Sequence, residues 1–116
     1  MILHGQTHGG IAAGVGQALW EDCHYASDGQ MLAATFMDYA LPRADSLPNF
    51  TTEISEVPST TNPLGLRGGG EGGTTPALAA TINAVVDALA ELGVEHMEMP
   101  ATPERVWRAM REARRS

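Results

Sequence analysis

The sequence contains no lysine, a single cysteine, and few aromatic residues, which make up 5% of its 116 positions. One cysteine, Cys23, cannot close an internal disulfide; that suits a reducing compartment, and a cytoplasmic location is expected. Long apolar runs are also missing. No stretch approaches the roughly 18 consecutive apolar residues of a membrane span. The opening MILHGQTHGG has neither the basic region nor the apolar stretch of a secretion signal. Positive charge is scarce and unevenly placed. Residues 1–100 carry two Arg against twelve acids, whereas Arg105, Arg108, Arg111, Arg114 and Arg115 crowd the last 16 positions. An acidic body repels a phosphate backbone, so nucleic-acid binding is disfavoured. The Arg cluster reads as the solvated or subunit-facing surface of a terminal helix.

What is present suffices for one domain over 1–116, because 43% of the residues are hydrophobic. Thirteen glycines and seven prolines are too many for a plain helical bundle and too few for a disordered or collagen-like chain. Ile11, Val15, Ala18, Leu19 and Cys23 recur at helical steps, which predicts a helix over Ile11 to Tyr25. Gly14 and Gly16 cost about 1 kcal/mol each relative to Ala. A helix that keeps both is expected to have something pressed against its backbone. Met31 to Tyr39, Phe50 to Val57 and Val94 to Met99 read as strands. Pro58 to Gly73 holds too much glycine and proline for any regular element. A helix should follow, with Thr75 as N-cap, Pro76 first and Gly93 as C-cap, then a last helix capped by Thr102 with Pro103 and Glu104 behind it. The expected fold class is α+β, with helices packed on a small mixed sheet.

The most informative segment is the glycine loop from Gly65 to Pro76. It feeds a helix N-terminus, where free N–H groups and the positive dipole end favour anions. A P-loop would need Gly-Lys-Ser/Thr there, and Gly-Gly-Thr without lysine disfavours nucleoside triphosphate hydrolysis. The one charge inside the glycine run is Glu71. From composition alone the loop reads as a flexible surface segment with one solvated carboxylate; the alternatives for the chain are a non-catalytic assembly piece whose helices complete another chain's fold, or an anion- or nucleotide-binding module using the 65–76 loop. Gly14-Val-Gly16 lacks a preceding strand and a third glycine, so it is no dinucleotide fingerprint. His4, His8, His24 and His96 offer no third ligand at usable spacing, and the glycines around His4 and His8 argue against a regular helical pair. No metal ligand is assigned.

Three ordered segments carry a resemblance. Gly5-Gln6-Thr7-His8-Gly9-Gly10 with Gly14, Gly16, Gln17 and Leu19 is the first. Asp28-Gly29-Gln30 through Thr35-Phe36-Met37-Asp38-Tyr39 and Pro42 is the second. Pro58-Ser59, Asn62-Pro63-Leu64-Gly65, Arg67-Gly68 and Gly70-Glu71-Gly72-Gly73-Thr74 form the third. Together they resemble the large subunit of the xanthine dehydrogenase, aldehyde oxidase and aerobic carbon monoxide dehydrogenase family. The resemblance implies the C-terminal part of a molybdenum-cofactor-binding domain, with molybdenum–molybdopterin in its cytosine dinucleotide form. It also implies FAD and 2Fe-2S centres on partner subunits, and the remainder of the molybdopterin-binding subunit as a partner. Glu71 matches the catalytic base of that family. Gln6, Gly9, Gly10, Gly68, Gly69 and Gly70 match the stretches that approach the cofactor. The implied reaction is oxidative hydroxylation of an aldehyde, an N-heterocycle or CO. Such a base works best when enclosure raises its pKa from about 4.3 toward the operating pH.

Overall fold

The first helix, α1, runs Ile2–Leu19 in the computed structural model, which describes residues 1–115. It begins well before Ile11 and takes in five glycines. A second helix, α2 (Thr74–Leu89), supplies the reason those glycines are tolerated. A Cβ at Gly10 would stand 2.9 Å from the Thr74 amide nitrogen, and one at Gly14 would stand 2.7 Å from the Thr74 carbonyl oxygen. On the other side, a Cβ at Gly73 would lie 2.5 Å from the Thr7 carbonyl oxygen. The two backbones meet at a separation only glycine allows, so the propensity lost along α1 is offset by close helix packing. At the far end Trp20 leaves helical geometry, and α1 stops at Leu19 rather than Tyr25.

The start of α2 is also shifted. Gly73 takes the N-cap position without a side-chain cap, and Pro76 lies in the first turn, where no intrahelical N–H bond is needed. Its end agrees with the sequence. A 3-10 turn over Ala90–Leu92 leads to Gly93, whose φ of +84° makes the left-handed cap. The third helix, α3 (Pro103–Ala113), starts as expected, with Thr102 Oγ1 accepting from the Arg105 amide at 3.4 Å. Leu89, Val94, Met97 and Ala101 form the buried core between α2 and α3. Leu19, Ile82, Val85, Val86, Val106, Ala109, Met110 and Ala113 pack around it. The Ala101 amide donates to the Ala18 carbonyl at 2.6 Å and ties this core to the end of α1.

The mixed sheet does not form. Among the described residues there is no strand, only an isolated antiparallel bridge between Tyr25 and Met31 across the Asp28-Gly29 turn. The α+β expectation is therefore replaced by three helices joined by long connections without strands. Alternation marks the faces of a strand, but a strand also needs a neighbour for its backbone. Met31 to Tyr39 turns back on itself at Thr35, whose hydroxyl donates to Asp38 at 2.7 Å. Val94 to Met99 is a connector that sends Val94 and Met97 into the core. Phe50 to Val57 is neither helix nor strand, and the Val57 amide donates to the Ser55 carbonyl at 3.1 Å.

Among the described residues, one helical stretch, Thr74–Leu92, is long and apolar enough to cross a membrane: it has 19 residues and a mean hydropathy of 1.2. Here it is the packing partner of α1 and contributes Leu89 to the core. The chain is open for its size. Its radius of gyration is 17.9 Å, where a close-packed domain of this length has about 13 Å. Its accessible surface is 8831 Å², against about 6,100 Å² for a compact monomer of this mass.

Candidate functional site

Gln6 and Glu71 come from motifs far apart in the chain, and α1 brings them together. The Gln6 side-chain amide donates to the Gly70 carbonyl at 2.9 Å, a bond spanning 64 residues. Gly70 immediately precedes Glu71, so the early Gly-Gln segment holds the backbone that presents the carboxylate. The Glu71 carbonyl in turn accepts from the Thr75 amide at 3.2 Å, which joins the loop to the first turn of α2. The Glu71 side chain is exposed and, among the described residues, has no hydrogen-bond or ion-pair partner.

The approach to this point is ordered by its own bonds. Asn62 acts as a clamp: its amide donates to the Leu66 carbonyl and its Oδ1 accepts from the Leu66 amide, both at 2.9 Å. Gly65 between them has a φ of +66°, a turn conformation that L side chains disfavour. The Ser59 amide donates to the Gly65 carbonyl at 3.0 Å and closes the base of the loop.

The candidate glycines divide into two groups. Gly9, Gly68 and Gly70 have no atom within 4 Å of the place a Cβ would occupy, so their backbone faces open space. Gly10 is buried against Gly73 and Thr74, and a Cβ at Gly69 would stand 2.8 Å from Leu3 Cδ1. Those two shape the packing beneath the site. Concave surfaces of about 1150 Å³ beside Ile82, Val86 and Met97, and of about 610 Å³ beside Trp20, Tyr39 and Pro42, lie away from Glu71. The chain by itself gives the carboxylate no enclosing wall.

The structure overturns one reading of the histidines. His4 and His8 do form a regular helical pair, because α1 extends through the glycines that flank them. Both imidazoles converge on one hydroxyl: Thr52 Oγ1 lies 2.7 Å from His4 Nδ1 and 3.4 Å from His8 Nε2. Phe50 packs edge-on against His8 at 5.8 Å between ring centroids. Among the described residues no group of three His, Cys, Asp or Glu is placed to hold a metal ion. The i, i+4 spacing of the two histidines was the available signal; their shared partner was not visible in sequence.

Two further contacts also escaped the sequence. Tyr39 donates to Glu21 Oε2 at 2.5 Å. That bond, with desolvation and the negative charge of Glu21 behind it, pushes the phenol up to about 12. Arg105 reaches back from α3 to Asp22 at 3.0 Å and to the Pro100 carbonyl at 2.9 Å, so the first of the clustered arginines has a structural partner.

Comparison with known proteins shows what the chain as a whole resembles. A model of the molybdopterin cofactor-binding domain matches residues 1–48. The carbon monoxide dehydrogenase large chain of Hydrogenophaga pseudoflava is 38% identical over 97% of this chain and 14% of its own length. The nicotine 6-hydroxylase large subunit of Paenarthrobacter nicotinovorans is 42% identical over 93% of this chain and 13% of its own length. The crystal structure of a Cu,Mo-CO dehydrogenase in its carbon monoxide reduced state superposes with a TM-score of 0.91 at 34% identity, over 97% of this chain and 14% of that one. The chain thus spans about one seventh of the length of the relatives it matches. On shared sequence and shared backbone path, it belongs to the xanthine dehydrogenase, aldehyde oxidase and aerobic carbon monoxide dehydrogenase family, where it matches a segment of the molybdopterin-binding large subunit.

Proposed function

We propose that this chain forms one side of the active site of a molybdenum hydroxylase large subunit, with Glu71 as general base. The observation that carries the reading is the Gln6–Gly70 hydrogen bond, which sets two motif segments side by side at Glu71. The backbone around them suits a large anionic cofactor. Gly9, Gly68 and Gly70 leave space that any side chain would fill, and the N-terminus of α2 opens directly behind the loop. Gln6, Gly9, Gly68 and Gly70 would border the molybdenum–molybdopterin group, in its cytosine dinucleotide form, while Gly10 and Gly69 hold the floor in place. When bound, that group supplies two-electron redox chemistry at its metal.

The part played by this chain is proton transfer and positioning. The Glu71 carboxylate accepts the proton of the hydroxyl that attacks an electron-poor substrate carbon, in an aldehyde, an N-heterocycle or CO. Gln6 fixes the loop through the Gly70 carbonyl, and the bond from Thr75 to the Glu71 carbonyl fixes it from the other side. Glu71 is exposed here, so the enclosure that strengthens a general base comes from the remainder of the subunit. In the assembled enzyme, 2Fe-2S and FAD centres on partner subunits would carry the electrons away.

The test is Glu71→Gln in the assembled enzyme. The change keeps the shape of the side chain and removes its proton acceptor. General-base catalysis contributes about 10²–10⁴-fold, so substrate reduction of the molybdenum centre should slow by at least the lower figure, with unchanged metal and pterin content. Glu53→Gln and Glu56→Gln should leave the rate unaltered. A fully loaded Glu71→Gln enzyme that is reduced by substrate at the normal rate would refute the assignment.

A further inference from the structure

Around the core between α2 and α3 the chain carries opposite charges side by side. Ile82, Val86, Val94 and Met97 line the groove of about 1150 Å³ beside α2, together with Asp87, Glu95 and Glu98. These three carboxylates are exposed, and among the described residues none has an ion-pair partner. Val94 and Met97 also belong to the core on which α3 packs through Val106, Ala109 and Met110, so helix and groove are neighbours. The exposed residues of α3 and its end include Trp107, Arg111 and Arg114. Arg111 stacks over the Trp107 ring at 4.7 Å, and among the described residues neither Arg111 nor Arg114 has an ion-pair partner. An apolar groove edged by unpaired carboxylates selects its occupant. A purely apolar segment would strip water from those charges and return nothing for it. A fitting occupant brings cations together with apolar surface. Five of the seven arginines, with Trp107, lie in the last 16 positions, and the chain has no lysine. Within one chain α3 is held against the core by its apolar side, which leaves its exposed side to meet the groove of another copy.

We infer that this face is a self-complementary interface: Trp107, Arg111 and Arg114 of one copy dock in the groove edged by Asp87, Glu95 and Glu98 of a second copy, which docks its own α3 in return. A patch whose acidic and basic halves lie next to each other matches itself after a half-turn, as a two-fold contact requires. Trp and Arg are also the residue types that most often dominate binding energy at interfaces. The area is available. The chain exposes 8831 Å² against about 6,100 Å² for a compact monomer, an excess larger than the roughly 1,600 Å² a standard interface buries.

Sedimentation of the full 116-residue chain, with its charges exchanged, tests the pairing. Glu95→Arg with Glu98→Arg makes both halves basic, and Arg111→Glu with Arg114→Glu makes both acidic. Each double variant should dimerise about 10-fold or more weakly than the wild-type chain. An equimolar mixture of the two restores opposite charges at both contacts, so its heterodimer should regain the wild-type affinity. Unchanged affinity in the double variants, or a mixture of folded variants that fails to recover, would overturn the inference. Salt gives an independent measurement that leaves the fold alone. Raising NaCl from about 0.05 M to about 0.5 M should weaken the wild-type dimer by about 10-fold or more, and Glu95→Gln with Glu98→Gln should remove most of that dependence. Association that is flat or strengthens with salt would point to the other apolar faces of the chain and overturn the pairing. A chain that stays monomeric at low salt would overturn it too, because the groove would then belong to another segment. Neither measurement involves Glu71 or the cofactor, so this inference and the general-base reading fail separately.

Discussion

Tyr39 and Glu21 give the chain a contact whose strength depends on pH. The phenol donates to the carboxylate, and that bond raises its pKa from 10.0 to about 12. The unfolded chain loses the phenolic proton first, so the stabilisation is complete below about pH 10 and disappears as pH rises toward 12. Tyr39→Phe should therefore melt below the wild-type chain at pH 8, with the two curves converging between pH 10 and 12. A constant gap across that window would show that the hydroxyl contact is not the cause. Gln6 makes a neutral hydrogen bond at an exposed position, a type of contact contributing about 0.5–1.5 kcal/mol. Gln6→Leu should leave global melting nearly unchanged while amide exchange around Gly70 to Thr75 quickens. Unaltered exchange there would mean that Gln6 does not position the loop.

At the scale of elements, α1 and α2 depend on glycine where they touch and only tolerate it elsewhere. Gly10 meets the Thr74 backbone, which has no room to give, whereas Gly9 faces open space one residue away. Gly10→Ala should destabilise by about 1–3 kcal/mol through overpacking. Gly9→Ala should stabilise by roughly 0.5–1 kcal/mol through helix propensity alone. Denaturant titration of the two variants measures the contrast, and effects of the same sign would refute the close-contact account of α1 and α2. The capping signals of α3 and the Gly93 stop behind α2 could be read because each is a local backbone requirement. The limits of α1 could not, since its glycines are repaid by a helix some 60 residues later, on the order of two thirds of the chain away from its start.

As a whole molecule the chain exposes more than its core can justify. Met1, Ile2, Phe36, Met37 and Leu64 are each at least 80% exposed, and among the described residues no large side chain is fully buried. Apolar surface of this kind marks faces that pack against something else. The chain alone should associate beyond the monomer as concentration rises, which multi-angle light scattering can follow. A clean monomer over a wide concentration range would argue that the exposed apolar faces are inert. The same openness explains why the candidate base is unenclosed here, and why turnover is proposed only for the assembled subunit.

The amino-acid order by itself determined the helix caps at Thr102 and Gly93, the irregular course of Pro58 to Gly73, and the three motif segments that carry the family resemblance. These are local properties, decided by φ, by missing N–H groups and by residue spacing. Tertiary structure decided the rest. It placed Gln6 on Gly70, packed α1 against α2 through Gly10, Gly14 and Gly73, and set His4 and His8 on a common hydroxyl. It also decided against a sheet within the chain: alternation in Phe50 to Val57 names a strand's faces, but the hydrogen bonds of a strand belong equally to a neighbour, and no other segment of the described chain supplies one.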